Sequence, residues 1–178
     1  MVKASGRFGP ELGVPWNSRG IRYSAGMLRA TLLAALLAAA AFAQSQPNFS
    51  GTWKINLAKS DFGMLPPPES RTDVIEHSGD TVKDKISAVN QQGKQEYTLT
   101  FKTDGSETVN KVADREMKVS AKWEGPALVV TTKLTLQGAD IEIRSNWTLS
   151  GDGATITQAA HLASPMGETD QKVVYEKQ

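Results

Sequence analysis

Residues 117–149 read MKVSAKWEGPALVVTTKLTLQGADIEIRSNWTL. Met117, Val119, Ala121 and Trp123 alternate with Lys118, Ser120 and Lys122. Leu128, Val130, Leu134 and Leu136 alternate with Val129, Thr131, Lys133 and Thr135. Ile141, Ile143, Trp147 and Leu149 alternate with Glu142, Arg144, Asn146 and Thr148. A period of two puts one face of each segment in a core and the other in water, the signature of half-buried strands. Glu124-Gly125-Pro126 and Gln137-Gly138-Ala139 supply turn chemistry between them. The connections are too short for the crossover helices of a parallel sheet, so the strands are antiparallel hairpins.

The same reading extends outward. Trp53, Ile55 and Leu57 share a face, as do Tyr97, Leu99 and Phe101. Further turns fall at Ser78-Gly79-Asp80, Gln92-Gly93, Thr103-Asp104-Gly105-Ser106 and Gly151-Asp152-Gly153. Nine or ten strands are predicted over 51–57, 72–78, 81–89, 95–102, 106–111, 114–124, 127–137, 140–149, 154–162 and 169–177. No stretch has the period of a three-turn amphipathic helix. The fold class is therefore all-β, an up-and-down meander of about 8–10 strands. Closure into a barrel hides its edges.

One connection stands apart. Ala58–Arg71 carries Pro66-Pro67-Pro68 and is the only long loop. It is either a bridge across the barrel end or a functional loop. The inward set is apolar: Trp53, Ile55, Ile86, Leu99, Met117, Val119, Leu128, Val130, Ile143 and Ile156. Thr132, Ser145, Gln158 and Tyr175 share those faces as polar exceptions. Two readings stay open: an apolar cavity with a few polar anchors for a small molecule, or a packed core whose polar members satisfy each other or buried water. In the first, Tyr175, Gln158 or Thr132 orient the ligand, and Ile143, Val130 and Met117 form its wall.

The segment before Gln44 is read differently. Thr31–Phe42 is an unbroken apolar run of 12 residues, short of the roughly 20 that span a bilayer. Arg29 precedes it and Ala41-Phe42-Ala43 ends it, the pattern of a secretory signal peptide cut before Gln44. This predicts a signal peptide over 27–43, an N-terminal extension over 1–26 from a misplaced start upstream of Met27, and a single barrel domain over 44–178. The expected location is secreted or periplasmic, with no transmembrane span after processing. The processed chain has 135 residues and a net charge of −3. It is large enough to build its own core.

Composition narrows the chemistry. Over the full 178 residues, 39% are hydrophobic, 22% are charged and the formal net charge is +1. The basic residues alternate with acids, which gives no electrostatic footprint for nucleic acid. Cysteine is absent, so disulfides, thiolate metal sites and a cysteine nucleophile are excluded. No Gly-x-Ser-x-Gly elbow, phosphate-binding glycine loop or HExxH occurs. The two histidines, His77 and His161, read as barrel-wall residues. Trp123 and Trp147 read as core packing rather than a stacking platform. The chain is expected to be no enzyme and to need no cofactor or metal.

Phe49-Ser50-Gly51-Thr52-Trp53-Lys54 resembles the opening strand of the calycin superfamily, which includes lipocalins, fatty-acid-binding proteins and avidins. The resemblance implies that Trp53 closes one barrel end. Asp73–Asp80, Lys122-Trp123-Glu124-Gly125 and Val174-Tyr175-Glu176-Lys177 resemble later elements of the fatty-acid-binding proteins. Three features depart from that family. The arginine that binds the carboxylate there, two residues before the last-strand tyrosine, is Val173 here. The 58–71 loop is too short for a helix–turn–helix lid, and this chain carries an export signal. With no cation placed beside Tyr175, a neutral apolar ligand is expected rather than a fatty acid. The alternative is a ligand-free structural or protein-interaction module of the cell envelope.

Overall fold

A computed structural model describes residues 46–178; the predicted extension, signal peptide and cleavage site lie outside the described residues. Ten antiparallel strands run β1 Gly51–Ile55, β2 Ser70–Ser78, β3 Thr81–Asn90, β4 Gly93–Lys102, β5 Asp104–Val112, β6 Arg115–Glu124, β7 Ala127–Leu136, β8 Ala139–Leu149, β9 Thr155–Ser164 and β10 Gly167–Lys177. They form one sheet in the order β4-β3-β2-β1-β10-β9-β8-β7-β6-β5. Each strand pairs with its sequence neighbour, and β1 pairs with β10, with Trp53 opposite Lys177 and Ile55 opposite Tyr175. This is the expected meander, curled into a nearly closed barrel.

The two free edges, β4 and β5, are bridged by a side chain. Buried Asn110 accepts from the Thr100 N–H at 2.7 Å and donates to the Thr100 carbonyl at 3.1 Å. One carboxamide thus supplies the donor and acceptor that a partner strand would offer. A register shift between Asp104 and Glu107 bends β5 just before this point.

Strand β1 ends two residues earlier than the alternation predicts. Leu57–Lys59 form a single 3-10 turn capped by Asn56, and Leu57 is exposed rather than turned inward with Ile55. The Asn56 side chain takes the Lys59 N–H, offering the backbone an alternative to the ladder. Short β1 would leave half of the β10 edge bare. The loop covers it instead: Asn56 donates to the Val174 carbonyl at 2.8 Å, and Asp61 exchanges two backbone bonds with Lys172. Gly63 makes the close approach, since a Cβ there would strike Thr169 Oγ1 and the Asp170 carbonyl. Its φ of +58° also favours glycine. The loop therefore protects an edge. It is also shorter than expected, because β2 begins at Ser70 and claims Arg71.

Candidate functional site

The barrel interior changes character along its axis. At the end bearing the β2–β3, β6–β7 and β8–β9 turns it is packed with rings. Phe49 stacks on Trp123 at 6.0 Å and on His77 at 6.1 Å, and meets Trp147 edge-on at 5.9 Å. Phe101 also meets Trp147 edge-on, at 6.0 Å. Trp53 is buried and donates its indole N–H to the Phe49 carbonyl at 2.8 Å. Lys177 Nζ lies 5.4 Å from the Trp53 ring centre. These rings plug the end, so Trp53, Trp123 and Trp147 belong to the core.

At the other end the same inward face is open to solvent. Val119 and Leu128 are 0% exposed and Val130 4%, whereas Met117, Thr132, Leu134, Ile141, Ile143 and Leu162 are half-buried. These residues share strands and facing, so depth along the axis accounts for the difference. The register joins them into one wall: Thr132 opposes Ile143 and Val119, Met117 opposes Leu134, and Ile143 opposes Leu162. Exposed Met64, Leu65 and Met166 sit on the connections at this mouth.

Between plug and mouth lies a polar cluster. Arg71 makes a bidentate ion pair with buried Asp73, Nε to Oδ1 at 2.8 Å and Nη2 to Oδ2 at 2.9 Å. The Arg71 guanidinium carbon lies 5.5 Å from the centre of the Tyr175 ring. Asp84 projects inward from β3, flanked by Val82 and Ile86, and is 2% exposed. Among the described residues its Oδ1 has no hydrogen-bond partner, nor does the Tyr175 hydroxyl. Burial pushes the Asp84 pKa up to about 8; the Asp73 charge adds to this and Arg71 opposes it. Burial likewise raises the phenols of Tyr175 and Tyr97. Burial works against the Arg71 charge, but the neighbouring Tyr175 and Asp73 outweigh it and raise its pKa.

The six residues assigned to a ligand fall into two groups. Met117, Val130, Thr132 and Ile143 form a continuous wall on β6, β7 and β8, with Val130 the deepest of the β7 pair. Gln158 and Tyr175 are buried on β9 and β10, where Gln158 opposes Val173 and Tyr175 opposes Ile156. The expectation that no cation stands beside Tyr175 is corrected by Arg71. That residue reads as the end of a loop in the sequence, but β2 starts before it and turns it inward with Asp73 and Ile75. Asp84 went unassigned although it alternates with Val82 and Ile86, a signal visible in the sequence.

The histidines do different work. His77 Nδ1 accepts the Phe49 N–H at 3.3 Å, and burial lowers its pKa. His161 lies on the outer face, where Asp170 at 2.8 Å raises its pKa. Among the described residues no group of three His, Asp or Glu is placed to hold a metal, and no helix is long and apolar enough to cross a membrane. An open depression of about 600 Å³ is lined by Leu134 and Ile141 together with Lys118, Lys133 and Glu142. Lys133 pairs with Glu142 at 3.5 Å there, and Lys118 with Glu107 at 3.6 Å.

No protein-family model matches this sequence, and no curated protein matches it at a significant level. Solved structures share its fold. A SAHS protein from Ramazzottius varieornatus superposes with a TM-score of 0.53 at 17% identity, covering 72% of this chain and 94% of that one. Secretory abundant heat soluble protein 4 from the same organism gives 0.52 at 15% identity, covering 76% and 99%. The fluorescent protein UnaG gives 0.51 at 19% identity, covering 73% and 97%. These likenesses show the fold, a nearly closed up-and-down β-barrel.

Proposed function

We propose that this chain is an exported binding protein, not an enzyme, that holds a small apolar molecule inside its barrel. The observation that carries this reading is the graded interior. Inward-facing apolar side chains are sealed at one end and reached by solvent at the other. An apolar pocket with a few convergent polar groups is the usual make-up of a small-molecule site. Met117, Val130, Thr132 and Ile143 form the wall, and Tyr175 and Gln158 supply polar contacts at depth. Binding follows from transfer of apolar ligand surface out of water, worth about 25 cal/mol per Å² before association costs. Export, to a secreted or periplasmic location, rests on the apolar run Thr31–Phe42 and the small residues Ala41 and Ala43.

Native mass spectrometry on protein purified without denaturation tests this. A reproducible added mass that is lost on unfolding is expected. A bare polypeptide mass, with no uptake from a lipid extract, would overturn it. That result would favour an envelope interaction module, a reading supported by the exposed Met64, Leu65 and Met166 at the mouth.

A further inference from the structure

We infer that the polar cluster of Arg71, Asp73, Asp84 and Tyr175 selects a ligand whose head is a protonated amine, which donates to Asp84 Oδ1 and the Tyr175 hydroxyl. The inference deepens the binding reading above and rests on it.

Three buried side-chain atoms lack partners among the described residues: Trp123 Nε1 in the aromatic plug, and Asp84 Oδ1 and Tyr175 Oη in the polar cluster. Asp84 and Tyr175 are each at least 98% buried, and such groups are normally satisfied in a native protein. Both lie in one cluster: Asp73 opposes Ile86 and Asp84 opposes Ile75, so the two carboxyls are diagonal neighbours on the inner face. The cluster holds two carboxyls against one guanidinium. Arg71 commits two of its N–H groups to Asp73, which leaves Asp84 without a counter-ion of its own. A carboxylate head would face Asp73 and Asp84, while Arg71, the one cation beside them among the described residues, is already paired. With Asp84 protonated the cluster is neutral, and an alcohol gains only neutral hydrogen bonds there. An ammonium brings three donors and the counter-ion that Arg71 does not supply, so it draws Asp84 to the carboxylate and makes charge-assisted bonds.

The groups facing Asp84 are Asp73 and Arg71 on β2, Tyr97 on β4 and Tyr175 on β10. Asp84 holds its proton up to about pH 8 in the empty barrel. Entry of an ammonium below that pH converts Asp84 to the carboxylate and releases its proton to solvent. The ammonium keeps its own protons, and no bond between heavy atoms changes. Affinity for the amine therefore weakens as pH falls below about 8.

Calorimetry on the full chain with decylamine, decanol and decanoate tests this. Decylamine is expected to bind roughly ten- to a hundredfold tighter than decanol, the range for a charge-assisted hydrogen bond, and decanoate weakest. Titrations at pH 6.5 in buffers of different ionisation heat should show a proton released with decylamine and none with decanol. Asp84→Asn should bring decylamine down to the decanol level. Decanoate binding as tightly as decylamine, equal affinities for decylamine and decanol, or an unchanged preference in the variant would overturn the head-group assignment while leaving the chamber intact. Binding of none of the three would overturn the chamber itself. Where the variant fails to fold, the wild-type ranking and the proton count decide.

Discussion

Asp84 is a carboxyl enclosed by the barrel wall, with the Asp73 charge nearby and one oxygen unpartnered. Burial raises its pKa from 3.8 to about 8, so the folded chain holds a proton that the unfolded chain has released. Its contribution to stability is complete below about pH 4, falls as pH rises, and is gone above about 8. Replacing it with Asn removes that dependence. Urea denaturation at pH 5, 6 and 7 should show Asp84→Asn gaining on the wild type by up to about 1.4 kcal/mol per pH unit. Parallel pH profiles would show that Asp84 ionises normally. Tyr175 sits in the same cluster with a hydroxyl that has no hydrogen-bond partner among the described residues. Tyr175→Phe should leave unfolding within about 0.5 kcal/mol of wild type and weaken a polar-headed ligand by about 0.5–1.5 kcal/mol. A large loss of stability would mean that the hydroxyl has a structural partner.

At the scale of elements, the barrel closes through side chains and a loop as well as through ladders. Asn110 stands in for a strand between β4 and β5, and Asn110→Ala removes a donor and an acceptor from Thr100 at once. A cost of about 1–3 kcal/mol follows from the polar groups left unmade. Hydrogen exchange should report it locally, with faster exchange of the Thr100 amide; unchanged protection there would show that the gap is held otherwise. Strand identity was legible because the apolar/polar period persists through β6, β7 and β8 and breaks at Gly-bearing turns. What escaped was set by competition at element ends. Asn56 diverts the chain into a 3-10 turn, so Leu57 leaves the inner face. Arg71 follows a proline-rich stretch that looks like loop, yet pairing with Ala88 on β3 extends β2 back to include it. Asp84 shows a different failure. Its alternation was plain, but a lone charged residue on an apolar face reads as an interruption until Arg71 and Tyr175 are seen around it.

Among the described residues the barrel interior is graded along its axis, sealed at one end and reached by solvent at the other, and the proposed chamber rests on that gradient. At the plugged end, Trp53 is 1% exposed and holds Phe49 by a hydrogen bond. Trp53→Ala there opens a void that the surrounding rings cannot fill, and a cost of about 3–5 kcal/mol is expected. At the mouth, Ile143 is half-buried against Thr132 and Leu162. Water already reaches its side chain, so Ile143→Ala should cost well under the roughly 2–5 kcal/mol of a buried isoleucine. The same truncation removes apolar wall, so it should lower the fraction of protein that retains a ligand mass in native spectrometry. Stability and occupancy thus separate by depth: the plug variant loses folding, and the mouth variant loses ligand. Equal destabilisation by the two would mean that side chains fill the barrel from end to end. An interior filled in that way leaves no volume for a ligand, and the interaction surface at Met64, Leu65 and Met166 would then carry the function.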